Sequence, residues 1–312
     1  MRASIKLVFF LLGLGLLALS EPASALIQWN FSSPGCTPAA SFGDSCSWTV
    51  GTIKVTATAW SNTQSTANTN LENAYLGAYP GLGVTNRDGT TATTSPSCTS
   101  GQDCAEGTIA NTTPPEHAMD NNQRYDSILF TFTSTVTNLP VSVNLQDVQL
   151  SYPTSSSCST CDSDISVLAY TGGGTGVYVP TGTSPNLTGA TYAQMTAQGW
   201  TLVGDYSNVS SAPGMTALIN QTGTPYEATQ SSSPYWIVAA YSPVFTTSPA
   251  GGACDNATTG KTTTTCDSQN DYVKVIALYG SSTNKVPEPN TLLLIGVVAT
   301  VGVWGKRRIA RR

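Results

Sequence analysis

The chain has 312 residues, only 10% of them charged, and a formal net charge of −5. Most of its basic residues sit at the two ends, so the stretch 26–285 carries six basic against sixteen acidic residues, a balance near −10. An anionic surface of that kind repels nucleic acid and anionic lipid, and no basic patch with interleaved aromatics is present, which excludes nucleic-acid binding.

Residues 1–25, "MRASIKLVFFLLGLGLLALSEPASA", place Arg2 and Lys6 before an apolar run from Leu7 to Leu19 and close on the small-x-small pattern Ala23-Ser24-Ala25. This is the three-part order of a secretory signal peptide, which is set aside in fold reasoning. The body, 26–285, is long enough for one large β domain or two small ones. It is rich in Thr, Ser, Gly and Asn, and no window carries a sustained helical stripe.

"CSWTVGTIKVTATAW" puts Trp48, Val50 and Thr52 on one parity and Ile53, Val55, Ala57 and Ala59 on the other. That switch marks a bulge or a tight turn at Gly51. The stretch 62–116 is long, polar and loop-like. "DSILFTFTSTV" then aligns Ile128, Phe130 and Phe132 on one face. "PVSVNLQDVQLSY" aligns Val141, Val143 and Leu145, then Val148 and Leu150, with a one-residue slip between the two sets. "DISVLAYTG", "GWTLVGDYS", "YWIVAAYS" and "DYVKVIALYG" are further β-branched and aromatic runs bounded by turn residues. One short helix is expected near "TYAQMTAQG", and a second loop covers 246–266. Many short strands separated by turn signals predict an all-β fold, a β-sandwich or jelly roll with long loops.

Eight cysteines fall in close pairs: Cys36 and Cys46, Cys98 and Cys104, Cys158 and Cys161, Cys254 and Cys266. An even count in an exported chain reads as disulfides, and short separations favour local pairing. Such bridges pin loops more than they staple the whole fold. Zinc and redox readings fit less well. Only "CSTC" has ligand spacing, the one histidine, His117, is far from it in sequence, and the motif sits in a Ser-rich stretch.

"EHAMDNNQRYD" is the one chemical cluster of note. Asp120, Asn121 and Asp126, with Glu116, could supply oxygen ligands to calcium, joined by Asp162 and Asp164 from another loop. The competing reading makes Asp120 and Asn121 Asx-turn and strand-start residues. The spacing does not match an EF-hand, and no nucleophile elbow, zinc-protease motif or phosphate loop occurs, so no enzyme is expected.

The chain ends with Val286, Pro287, Glu288 and Pro289, an uncharged run 290–305, and the basic residues Lys306, Arg307, Arg308, Arg311 and Arg312. The run is short against the roughly 20 residues a spanning helix needs unless flanking residues snorkel or the bilayer thins. It is expected to form a single C-terminal transmembrane helix that stops transfer in the inner membrane, with the basic cluster on the cytoplasmic side. This ordered set, over 286–312, closely resembles the PEP-CTERM sorting signal of exported Gram-negative proteins. The resemblance implies recognition and tail removal by the membrane enzyme exosortase, release or re-attachment at the cell surface, and association with exopolysaccharide matrix. The body is also similar to exosortase-dependent surface proteins, through "GLGVTNRDG", "PPEHAMDNNQRYDSILFTF" and "DSDISVLAYTGGG". That likeness implies a structural or adhesive surface protein without catalysis. The alternative is a carbohydrate-binding module in which Trp200, Tyr206, Tyr235 or Trp236 stack on sugars, against a reading of these rings as core.

Overall fold

A run of alternating apolar residues folds as a strand only when a partner surface covers its apolar face, and here two sheets cover each other. The computed structural model describes residues 26–32, 42–64, 66–78, 81–87, 118–151, 163–172, 178, 180–183, 185–206, 216–219, 231–245, 254–256, 261–263 and 271–282. All belong to one unit, Leu26–Thr283.

In chain order the early strands are β1 (Ile27–Asn30), β2 (Ser45–Val50), β3 (Ile53–Asn62), β4 (Leu71–Asn73), β5 (Tyr75–Ala78), β6 (Leu82–Thr85), β7 (Met119–Asp120) and β8 (Asp126–Ser134). Then come β9 (Val143–Ser151), β10 (Ile165–Tyr170), the helix α1 (Tyr192–Ala197), β11 (Trp200–Tyr206), β12 (Thr216–Leu218) and β13 (Tyr235–Ala240). The small hairpin of β14 (Cys254–Asn256) and β15 (Lys261–Thr263) precedes the long β16 (Tyr272–Ser282). The first sheet runs β12-β9-β16-β6-β5, with β1 and β7 also on β16. The second runs β11-β10-β13-β8-β3-β2, with β4 on β3. The pairings within them are antiparallel. The described residues are therefore all-β, with one short helix among them, in keeping with the all-β pattern of the sequence.

Both parity breaks have a structural cause. Val50 pairs with Ile53 across a two-residue turn. Gly51 takes φ of 58° there, a sign that a Cβ-bearing residue adopts at a cost. In β9 the slip is a bulge: Tyr279 of β16 opposes Asp147 while Gly280 opposes Leu145, leaving Gln146 as the extra residue.

The two sheets enclose a core that includes Trp29, Phe31, Phe130, Phe132 and Trp236. Phe31 stacks on Phe130 with centroids 5.7 Å apart, and Trp29 meets Phe132 edge-on at 4.9 Å. Such pairs add to area burial because the ring edge is positive and the face negative. Ile128, Phe130 and Phe132 share this core, as their parity predicts. Their neighbour Leu129 belongs to a second core on the opposite face, with Leu168, Trp200 and Ile237. Leu187, Tyr192 and Met195 cover that face. Burial along β8, β10 and β13 is consequently almost continuous. The covering helix α1 is fixed by a capping box: Thr191 Oγ1 accepts from Gln194 N at 3.2 Å, and Thr191 N donates to Gln194 Oε1 at 3.0 Å.

Part of the expected loop 62–116 is sheet. It contains β4, β5 and β6, and the second expected loop contains β14 and β15. Each is three or four residues long, too short for a period to register. Gly77 and Gly83, paired opposite each other in β5 and β6, dilute the β signal further.

Cys46 is 1% exposed and disulfide-bonded. The side chains of the other seven cysteines lie outside the described residues. So do the signal peptide, the sorting residues 286–289, the apolar run and the basic tail. Among the described residues no helix is long and apolar enough to cross a membrane.

The bulge gives a direct test. A Cβ on Gly280 would lie 2.7 Å from Asn144 O and 2.8 Å from Val143 Cγ1, closer than atoms in contact allow. Gly280→Ala is expected to cost about 1–3 kcal/mol in urea unfolding by overpacking. Gly51→Ala, where nothing lies within 4 Å, should cost about 1 kcal/mol or less through backbone conformation alone.

Candidate functional site

Strand directions gather the chemistry at one end of the two-sheet body. β8, β10 and β16 begin there, and β6, β9, β11 and β13 finish there. Five carboxyl groups lie at these strand ends: Asp120, Asp126, Asp164, Asp205 and Asp271, each at most 1% exposed. Burying a charged group is costly unless hydrogen bonds compensate it.

Asn121 is the hub of that compensation. Its Nδ2 donates to Tyr241 O at 3.0 Å and to Asp271 Oδ2. Its Oδ1 accepts from Asp271 N at 3.0 Å. Asp271 Oδ1 in turn accepts from Asp164 N at 3.0 Å, and Tyr241 N donates to Asp164 O at 3.1 Å. This knot ties the start of β16, in the first sheet, to β10 and the exit of β13, in the second. Beside it, Asp120 Oδ1 accepts from Asn122 N at 2.9 Å, an Asx turn. Asn122 Nδ2 donates to the Tyr272 hydroxyl at 2.7 Å. Asn62 closes the neighbouring corner: Tyr125 N donates to its Oδ1 at 3.0 Å, and its Nδ2 donates to Thr66 O at 2.8 Å.

A second relay crosses three strands of the second sheet. Ser166 Oγ donates to Asp205 Oδ1 at 2.5 Å and accepts from Ser242 N at 3.2 Å. Burial pushes the Asp205 carboxyl from its ordinary 3.8 up to about 7, against the opposing pull of the Ser166 hydrogen bond. The Tyr241 phenol is pushed up to about 12, first by burial and then by the negative charges of Asp205, Asp164 and Asp271. The same groups that sequence scatters over more than a hundred positions thus surround one ring.

Of the expected calcium residues, Asp120, Asn121, Asp126 and Asp164 come to this end, while Glu116 and Asp162 lie outside the described residues. Asp120 makes an Asx turn, and Asn121 bridges Tyr241 and Asp271. Among the described residues no group of three or more His, Cys, Asp or Glu is placed to hold a metal ion. Asp205, Asp271, Ser166 and Tyr241 were not singled out from sequence. A signal for Asp271 exists: it directly precedes an apolar strand, as Asp164 does in "DISVLAY", and Asp126 opens "DSILF" in the same way.

The four candidate sugar-stacking rings are inside. Trp200, Tyr206, Tyr235 and Trp236 are 2%, 7%, 4% and 0% exposed. Trp236 Nε1 donates to Ser233 O at 2.9 Å, and Tyr170 meets Trp200 and Tyr235 edge-on. They present no open face for a sugar.

What the geometry defines is a class: an all-β body of two antiparallel sheets with a carboxyl-rich end held by side-chain hydrogen bonds. Set against family models, curated proteins and solved structures, the chain matches none.

Asn121→Ala removes three hydrogen bonds, two of them to Asp271, and is expected to lower stability by roughly 2–4 kcal/mol in denaturant melts. The Asp205 effect is pH-dependent. Its folded pKa is raised, so its contribution is fully present below the unfolded value near 3.8 and is lost as pH rises through about 7. Relative to Asp205→Asn, which keeps an acceptor for Ser166, the wild type should lose a few kcal/mol between about pH 4 and 7 and no more above that. Parallel stability–pH curves for the two proteins would contradict the assignment.

Proposed function

We propose that the chain is an exported surface or extracellular-matrix protein of a Gram-negative bacterium, structural or adhesive in role, sorted through its C-terminus by exosortase. The observation that carries this reading is the fixed order of Pro287-Glu288-Pro289, an uncharged run 290–305 and a terminal Lys/Arg cluster. A permanent anchor needs the apolar run and the basic flank but has no use for the two prolines, which hold an extended backbone suited to a protease groove. The short run suits a segment held briefly and then cut.

Read in finer terms, the two facing sheets of the body are a β-sandwich, and the segments carrying the cysteine pairs leave and return at the carboxyl-rich end. Local pairing of Cys36 with Cys46, Cys98 with Cys104, Cys158 with Cys161 and Cys254 with Cys266 would tighten those segments, with the disulfide state of Cys46 in accord. The carbohydrate-binding alternative has no observation in its favour once its four aromatic candidates are buried.

The test replaces Pro287, Glu288 and Pro289 together with Ala in the native host. Export should persist. The protein should accumulate uncut in the inner membrane, its intact mass including residues 290–312. A variant that reaches the surface with the wild-type mature mass would reduce the tail to a plain anchor and remove the basis of the matrix assignment.

A further inference from the structure

The end opposite the carboxyl cluster has the contrary chemistry. The exposed large hydrophobic residues of the described body are Leu26, Val50, Val136 and Leu139. All four sit at this second end. Val50 pairs with Ile53 at the β2–β3 turn, and Ile53 pairs with Ser134 at the finish of β8. The following turn, which carries Val136 and Leu139, is bonded to the first: Thr135 N donates to Thr52 O at 2.9 Å. Leu26 precedes Ile27, which pairs with Gly280 near the finish of β16. Val136 is 75% exposed and Leu139 63%.

These turns have no need of apolar residues for folding. Ser134 Oγ accepts from Val136 N and Thr137 N at 3.1 and 3.2 Å, and Ser134 N donates to Leu139 O at 2.9 Å. Hydroxyl and backbone groups hold the loop, so the two apolar side chains are left facing outward. Among the described residues of the segments at this tip, 26–27, 49–54, 133–143, 231–235 and 280–282, Lys54 is charged and no carboxylate occurs. Asp44, Asp120, Asp126, Asp164, Asp205 and Asp271 all belong to the other end.

Chain connectivity says what lies near the tip. β16 finishes at Ser282, here rather than at the acidic end. Seven residues, 283–289, separate it from the uncharged run. Fully extended they reach about 25 Å. We propose that the tip rests on the bilayer surface while the tail is inserted, with Val136 and Leu139 entering the headgroup layer. The inference rests on the reading of the tail as a membrane-inserted segment. Tethering supplies the high local concentration that a weak apolar contact needs. The charge distribution of the described residues favours this sense of approach: an anionic leaflet repels the acidic end, and the described part of the tip carries no carboxylate. The same contact would present the body upright and hold the Pro287–Pro289 stretch close to the membrane plane.

The experiment uses the full chain reconstituted into vesicles of phosphatidylethanolamine and phosphatidylglycerol containing lipids brominated at defined acyl depths. Trp304 lies within the uncharged run and reports tail insertion. The tip is read by Val136→Trp in a Trp304→Phe background, with Gln64→Trp, exposed at the far end, as the control. Deep bromines should quench Trp304. Shallow bromines should quench the indole introduced at 136 and shift its emission to the blue, while the indole introduced at 64 stays unaffected. Quenching of Trp304 without quenching at 136 would overturn the tip contact and leave the tail reading intact. An unquenched Trp304 would overturn the tail reading and the inference built on it. Equal quenching at 64 and 136 would overturn the upright orientation.

Discussion

β8 and β13 have no solvent face, and most of the molecule answers to that constraint. A strand covered on both sides must satisfy every polar group at its ends, because neither face offers water. The sequence meets the requirement with Asp and Asn at the strand mouths, where short side chains can reach main-chain donors. Desolvation of these carboxyls is the cost, visible in the raised Asp205 pKa. Asn121 offsets part of it by joining Asp271, Tyr241 and, through Asp271, Asp164. Removing the cover of Leu187, Tyr192 and Met195 would return the outer face to water and relax the same constraint. The capped helix and the buried acids are therefore coupled parts of one solution.

Strands with a long, unbroken pattern were legible in sequence. The parity of "TIKVTATAW" and "DSILFTF" holds residue for residue in the inner core, and the slip in "VNLQDVQL" is the bulge at Gln146. The short helix expected near "TYAQMTAQG" is present, and the structure shows the capping box of Thr191 and Gln194 that holds it. What sequence hid was everything that depends on distance along the chain. β4, β5, β6 and β12 owe their existence to neighbours, and none of the four exceeds four residues. The double-sided burial of β8 was hidden as well, since Ser127, Thr131 and Thr133 look like a solvent face but are 0%, 2% and 2% exposed.

The site divides along the same line. Asp120, Asn121 and Asp126 stand out as a local cluster, yet the atoms that decide their role, those of Asp271 and Tyr241, are 150 and 120 positions from Asn121. A cluster of oxygen-bearing residues has the same look whether it binds a cation or braces a strand mouth. In the structure the partners of Asn121 are main-chain groups of Tyr241 and Asp271 and the Asp271 side chain. The aromatic residues make the parallel case: Trp200 and Trp236 read equally as sugar platform or core until their burial is known.

Antiparallel pairing sends successive strands in opposite directions, so the two ends of such a body can acquire different chemistries independently. In this chain one end holds the buried carboxyls and is where the cysteine-bearing segments leave and return. The other holds the short β2–β3 and β8–β9 turns, closed by Ser134 and Thr135 hydroxyls and amides, and is also where the longer β10–β11 and β12–β13 connections leave and return. Because β16 has to finish at this second end, whatever follows Ser282 starts from that side. Had β16 run the other way, the tail would have left beside the acidic end, and an anionic leaflet would have opposed its approach. If the tail enters a bilayer as proposed, the direction of one strand thus decides which end of the body faces it.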